Sequence, residues 1–402
     1  MQPFINPFRP GAGQPPPYLA GREKEKIEFL HLLHQQPILK NLILTGLRGV
    51  GKTVLLETFK PLALENGWFW AGTDLSESAG VSERSLAIRI LTDIATLVSS
   101  FTIMEEEIRT IGFKPVINKQ EIKLTYDVLN QIYNSTPGLE SDKLKRTLGV
   151  VWDTVKSKVK GIVLAYDEAQ VLKDKASDKQ YPLSLLLEIV QYLQKKEIPY
   201  LLVLTGLPTL FPNLVEARTY AERMFQVINL DKLNDEETRA AIKKPIQVKN
   251  CPVTFTESGI AEIVNYSSGY PYFIQFICKE MFDSVLQQIK VGVEIPSVVI
   301  VEIVRKLDTD FYSGRWSRVS DRQQDLLKVI AKLPNASDEF TVREISLLSE
   351  QLLTNPFKPA HINNLILKLI EFGLLYKNKR GKYSFAVPLL ADYINRQQEE
   401  RQ

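Results

Sequence analysis

The stretch Leu42-Ile43-Leu44-Thr45-Gly46-Leu47-Arg48-Gly49-Val50-Gly51-Lys52-Thr53 constrains this chain more than any other, because an apolar strand runs there into a glycine-rich turn. The spacing Gly46-x-x-x-x-Gly51-Lys52-Thr53 puts glycines where backbone N–H groups must come close to phosphate oxygens, and it reads as a phosphate-binding loop. Val54 to Lys60 continue as a helix, whose N-terminal dipole and free N–H groups favour the same negative charge. Gly46, Leu47, Arg48, Gly49, Val50, Gly51, Lys52, Thr53 and Val54 are therefore the expected cradle for the phosphates. Within it, Lys52 neutralises the β- and γ-phosphates and the Thr53 hydroxyl becomes a ligand of Mg2+.

A second stretch answers the first. Gly161-Ile162-Val163-Leu164-Ala165-Tyr166 is a short continuous apolar run, the mark of a strand buried on both faces, and it ends in Asp167-Glu168. Acidic residues at the C-terminal edge of such a strand sit where open α/β sheets bind ligands. Asp167 is expected to hold Mg2+, mostly through water, and Glu168 to orient and polarise the water that attacks the γ-phosphate. Tyr200 to Gly206 is a further apolar strand ending in a hydroxyl. Thr205 either contacts the attacking water or the γ-phosphate, or caps the helix begun at Leu207-Pro208. Arg218 and Arg223 precede the strand Phe225 to Leu230, and Arg223 is the better candidate to reach the nucleotide of a neighbouring subunit, because it lies closest to that strand.

At 402 residues the chain is too long for one ordinary core. The expected division is an extended N-terminal strap over residues 1–20, a P-loop α/β domain over 21–230, an all-helical lid over 231–312 and a winged-helix domain over 313–402. Alternating strand and helix patterns argue for a parallel sheet covered on both faces, while Ser82 to Lys160 reads as mostly helical. Beyond Asp231 the strands stop, and Asn234-Asp235-Glu236-Glu237 caps the first of several helices. Toward the C-terminus, helices over Asp321–Leu333, from Thr341 and over Pro359–Phe372 precede two short alternating runs around Asn378-Lys379-Arg380-Gly381, a hairpin with a basic tip.

Net charge is only +3, so any surface for a polyanion must be local. Lys368 on the third of these helices and Lys377, Lys379, Arg380 and Lys382 on the hairpin offer such a surface to double-stranded DNA. A protein partner fits the same module about as well. Cys251 and Cys278, with no CxxC, provide neither a disulfide framework nor a zinc site, and the greasiest run, Leu183 to Val190, is too short to span a bilayer. The N-terminus lacks a basic region followed by an apolar run, so a cytoplasmic protein without membrane contact is expected.

In this order, loop, acidic strand, hydroxyl-ended strand, helical unit and winged helix resemble an AAA+-type ATPase, and more narrowly the archaeal-type ATPases of the STAND group and their origin-recognition-like relatives. The resemblance implies that Gly46 to Thr53 are Walker A, Asp167-Glu168 are Walker B, Thr205 is the first sensor and Ala221-Glu222-Arg223 carries an arginine finger. It also implies that the region from Asn6-Pro7-Phe8 to Gly21-Arg22-Glu23 contacts adenine, with ATP and Mg2+ as cofactors. Gly269-Tyr270-Pro271 is similar to the Gly-x-Pro motif of STAND proteins, which brings Pro271 to the nucleotide. That motif offers no arginine at the usual second-sensor position, which implies a slow ATPase switch rather than a motor. The alternatives are a DNA-binding or scaffold protein in which the nucleotide is structural, and ATP-driven self-assembly, at which only Arg223 hints.

Overall fold

The computed structural model describes residues 4–11, 13–111, 114–294, 296–379 and 381–399, with the side chains of residues 104–120, 176 and 379 excepted. Strand β1 (Asn41–Thr45) runs into the glycine-rich turn and the helix Lys52–Glu65, and β2 (Trp68–Ala71) follows. A two-stranded antiparallel hairpin, β3 (Thr102–Ile111) and β4 (Lys114–Lys123), comes next, and then β5 (Gly161–Tyr166), β6 (Tyr200–Gly206) and β7 (Phe225–Asn229). Five of these form one parallel sheet in the order β2-β5-β6-β1-β7.

The apolar runs read as strands buried on both faces are so. Side chains alternate across each strand. Leu42, Leu44, Val163, Ala165, Leu201 and Val203 pack against the helices Glu23–Leu33 and Lys52–Glu65, where Phe29 and Phe59 stack 4.3 Å apart. Their neighbours Ile43, Ile162, Leu164, Leu202 and Leu204 pack against Leu86, Leu148 and Leu186 of three helices on the opposite face. Register then decides where chemistry can occur: Thr45 pairs with both Gly206 and Asn229, and Tyr166 with Leu204. The loop after β1, Asp167 after β5 and Thr205 in β6 thus meet at one rim of the sheet.

The hairpin β3–β4 interrupts the stretch between Ser82 and Lys160, which is otherwise mostly helical as expected. It lies between the helices Glu83–Val98 and Tyr126–Ser135 and pairs from Thr102↔Lys123 to Ile111↔Lys114. Its charged run Glu105-Glu106-Glu107 hides the alternation, whereas the enrichment in Ile, Val and Thr is the signal that could have found it.

Helices Asp235–Lys243, Glu257–Ser267, Pro271–Lys290 and Ile300–Leu307 follow the sheet. The first is closed by a reciprocal cap, in which Glu237 N–H donates to Asn234 Oδ1 at 2.9 Å and Asn234 N–H to Glu237 Oε2 at 3.0 Å. After a π-helical turn at Asp308–Ser313 the chain forms helices Asp321–Ala331, Val342–Leu352 and Pro359–Glu371. A three-stranded sheet, β8 (Phe340–Thr341), β9 (Leu375–Lys379) and β10 (Lys382–Phe385), takes the order β8-β10-β9, and the helix Leu390–Glu399 follows it. β8 and this last helix were not anticipated from sequence.

The segments 231–312 and 313–402, expected as two units, share one apolar cluster that runs from Phe273 and Phe282 to Leu326, Ile366 and Tyr393. Tyr312 and Tyr393 stack 4.9 Å apart across that division. The N-terminal segment joins the same cluster through Phe8, and Asn6 Nδ2 donates to Asp283 Oδ1 at 2.8 Å, so residues 4–11 lie strapped over the long helix Pro271–Lys290.

Candidate functional site

Gly51, with φ +92°, turns the chain into the helix Lys52–Glu65 in a conformation that side chains disfavour, and Leu55 N–H donates to its carbonyl at 2.9 Å. The turn is held from outside as well, because Tyr272 N–H, at the start of the helix Pro271–Lys290, donates to the Gly49 carbonyl at 3.2 Å. Lys52 folds over its own loop and donates to the carbonyls of Gly46 and Leu47 at 2.9 Å each. Burial pushes its ammonium down to about 8, with Arg48 adding to the shift and Glu168 and Asp167 opposing it.

Thr53 Oγ1 donates to Asp167 Oδ2 at 2.5 Å, and Glu168 N–H donates to Asp167 Oδ1 at 2.7 Å. The Asp167 carboxyl is nevertheless raised above its ordinary value. Burial is the largest cause, these hydrogen bonds oppose it, and the charges of Glu168 and Asp74 add to it. Glu168 adopts a left-handed backbone conformation, φ +51°, and reaches the cleft wall, where Gln170 Nε2 donates to its Oε2. Gln170 Oε1 in turn accepts from Leu207 N–H at 3.2 Å, so this glutamine ties Glu168 to the end of β6.

The cleft, about 490 Å3 in volume, is bounded by Arg48 to Val54 and Glu168 on the sheet side. The strap closes it with Arg9, Gln14 and Tyr18, the long helix with Pro271, Tyr272 and Gln275, and the π-helical region with Asp310, Phe311 and Arg315. Arg9 N–H donates to Gln275 Oε1 at 3.1 Å, which holds the strap to this wall.

Three solved structures share this fold over nearly the whole chain. The Walker-type ATPase PABY2304 of Pyrococcus abyssi has a TM-score of 0.58 at 15% identity, over 94% of this chain and 96% of that one. The ORC2 protein of Aeropyrum pernix gives 0.56 at 12% identity in its ADP form, over 98% of this chain and 97% of its own. Its ADPNP–ADP complexes give 0.53 at 12%, over 98% of both chains. This chain has the P-loop α/β fold of these Walker-type ATPase and ORC2 structures. Residues 309–394 match a family described as "Domain of unknown function (DUF8462)", and no curated protein matches the sequence.

On this frame the expected site residues divide into three groups. Lys52, Thr53, Asp167 and Glu168 come together at the rim, with Arg48 to Gly51, Val54, Arg22 and Pro271 on the cleft wall. Gly46 and Leu47 stand behind that wall and offer their carbonyls to Lys52, while Gly21 faces Glu237 rather than the cleft. Arg22 is buried, and its guanidinium donates to the carbonyls of Val50 at 3.2 Å and Asp231 at 2.7 Å, so it braces the loop from beneath.

Thr205 stays at this rim, and Arg223 goes elsewhere. The buried Thr205 hydroxyl donates to Asp167 Oδ1, so it caps no helix, and it orients the carboxylate instead. Arg223 precedes β7, whose first residue Phe225 pairs with Asn41 at the start of β1. It therefore lies at the opposite rim, about 15 Å along the strand from the loop of its own chain. There it is exposed, and Lys40 Nζ donates to its carbonyl at 2.8 Å.

Of the basic residues expected on the C-terminal module, Lys368 and Lys377 are exposed, and Lys382 pairs with Glu339 at 2.8 Å. The side chain of Lys379 and all of Arg380 lie outside the described residues. Sequence reasoning reached Arg9 only as part of the segment from Asn6 to Glu23, and it missed Gln170, Gln275, Asp310 and Arg315. Only Gln170 carried a legible signal, as the amide two residues beyond Glu168. Among the described residues no helix is long and apolar enough to cross a membrane.

Proposed function

We propose that this chain is an Mg2+-dependent ATPase that acts as a nucleotide-controlled switch. The observation that carries this reading is the direct Thr53–Asp167 contact at 2.5 Å beside Lys52. A hydroxyl and a carboxylate side by side form a hard oxygen donor set suited to Mg2+. Burial disfavours the charged form of Asp167, and a cation would offset that cost. Among the described residues no three acidic, His or Cys side chains cluster into a protein-only metal site, which fits an ion that takes its remaining ligands from phosphate and water. When bound, Mg2+ neutralises charge on the β- and γ-phosphate oxygens. Lys52 then binds those phosphates, Thr53 and Asp167 hold the ion, and Glu168, steadied by Gln170, orients the attacking water. The Aeropyrum pernix ORC2 structures are ADP and ADPNP–ADP forms, which supports an adenine nucleotide here.

Binding has a pH signature with a definite sign. In the free protein Lys52 releases its proton near pH 8, whereas phosphate oxygens hold that proton in the complex. Affinity is therefore full below this value and falls as pH rises through it. Calorimetry in buffers of different ionisation enthalpy should find little proton uptake at about pH 6.5 and close to one proton per site at about pH 9. Equal uptake at both would remove Lys52 from the phosphates, and no heat from ATP with Mg2+ would end the whole reading.

The output of the switch is the C-terminal module, which we read as a winged helix that binds duplex DNA through Lys368 and the hairpin cations. Neutralising Lys377, Lys379, Arg380 and Lys382 should weaken duplex binding and flatten its log–log salt dependence by about 0.9 for each phosphate no longer neutralised. Lys382, already paired with Glu339, should contribute least. A second reading, a protein partner, is favoured by the exposed Leu367 and Phe372 beside Lys368, and absence of duplex binding at low salt would select it. Arg223, at the far rim, fits contact with the nucleotide of a second copy rather than its own.

A further inference from the structure

The cleft wall opposite the sheet carries positive charge that the reading above leaves unused. Arg315, in the helical turn Gly314–Trp316, faces the cleft together with Arg48 and Lys52. Its guanidinium lies over the Phe311 ring, 4.5 Å from the centroid, and donates to the Phe311 carbonyl, which fixes its direction. Burial lowers the Arg315 pKa, and the positive charges of Arg48 and Arg318 lower it further. Arg48 acts the same way on Lys52. Asp167 and Glu168 offset the charge of Lys52 from the sheet side. Among the described residues no carboxylate forms an ion pair with Arg48 or Arg315, although Asp310 lines the same wall. Three cations thus converge on one space, and the two arginines lack a counter-charge.

Arg48 also reaches beyond the cleft. One guanidinium nitrogen lies 3.3 Å from where a side chain on Gly373 would begin, at the turn that leads from the helix Pro359–Glu371 into β9. The loop arginine therefore stands between the C-terminal sheet and Arg315.

We propose that Arg48 and Arg315 clamp the terminal phosphate of a bound nucleoside triphosphate and so tie the C-terminal segment to the phosphate loop only while that phosphate is present. This rests on the reading that the cleft takes a nucleoside triphosphate. The terminal phosphate is the group singled out because Arg48 stands close enough to act on Lys52, whose ammonium meets the β- and γ-phosphates. Two planar guanidinium forks can each make paired hydrogen bonds to such a group, and a diphosphate leaves them unmatched.

The test is calorimetry of Mg·ATP and of ADP on the full chain and on Arg315→Ala, Arg315→Lys and Arg48→Ala variants. Arg315→Ala should lose about 10- to 100-fold in affinity for ATP while ADP changes by less than about threefold, lysine at 315 should restore part of the loss, and Arg48→Ala should lose at least about 10-fold more affinity for ATP than for ADP. ADP binding reports that each variant is folded. Amide hydrogen exchange at residues 373–378 should slow with ATP in the unmodified chain and not in Arg315→Ala. Equal losses for ATP and ADP, or no loss, would overturn the clamp and leave the ATPase reading standing. If the unmodified chain binds neither nucleotide, the ATPase reading falls and the clamp with it.

Discussion

Lys52→Ala should weaken nucleotide binding severely and abolish turnover. The ammonium is the cation nearest the expected β- and γ-phosphates, and in the free protein it is already drawn over the loop by the Gly46 and Leu47 carbonyls. Those two carbonyls hold it in place, and burial makes its charge unusually dependent on an anion. Charge-assisted hydrogen bonds to two phosphate groups are worth on the order of 3–4 kcal/mol, so affinity for ATP should fall by about 100- to 1000-fold. Phosphate release should drop to the rate without protein. Calorimetry and a phosphate-release assay on the same preparation check both, and turnover equal to that of the unmodified chain would exclude this cleft as the site of hydrolysis.

The second large effect separates binding from chemistry. Glu168→Gln keeps the shape of the side chain and its contact with Gln170 but removes the negative charge that polarises water. ATP affinity should stay within about threefold, while turnover falls by about 100- to 1000-fold, the range expected for loss of a positioned base. The left-handed backbone at Glu168 points the side chain into the cleft independently of its charge, so the amide should occupy the same place. A single-turnover experiment with ATP in the presence of Mg2+ measures this directly. Unchanged turnover would assign the water-orienting role to another group.

What the sequence made legible shares one property: the signal is written within a few adjacent residues. The loop from Gly46 to Thr53, Asp167-Glu168 at the end of an apolar run, and the reciprocal caps at Asn234–Glu237 and Thr341–Glu344 all fall in this class. The strands β1, β5 and β6 were equally plain, because their middles, Leu42 to Leu44, Ile162 to Ala165 and Leu201 to Leu204, are buried on both faces and carry no polar residue. The rest depends on closure between distant segments. Arg9 meets Gln275 across 266 positions, and nothing local in either residue announces the contact. Arg315 reaches the cleft only because the helices after the sheet fold back over the loop, and the Thr205 hydroxyl found its partner in a neighbouring strand rather than in its own helix. The hairpin β3–β4 escaped for a different reason: three consecutive glutamates broke an alternation that Ile and Thr otherwise kept.

The stacked pair Tyr312–Tyr393 has a mechanical consequence. One apolar interior runs from the strap's Phe8 through Phe282 to Ile394, so the described helices and strands after residue 231 pack as one body beside the cleft. A push on Tyr272 or Arg315 at the cleft therefore bears on this shared interior as a whole rather than on one helix alone.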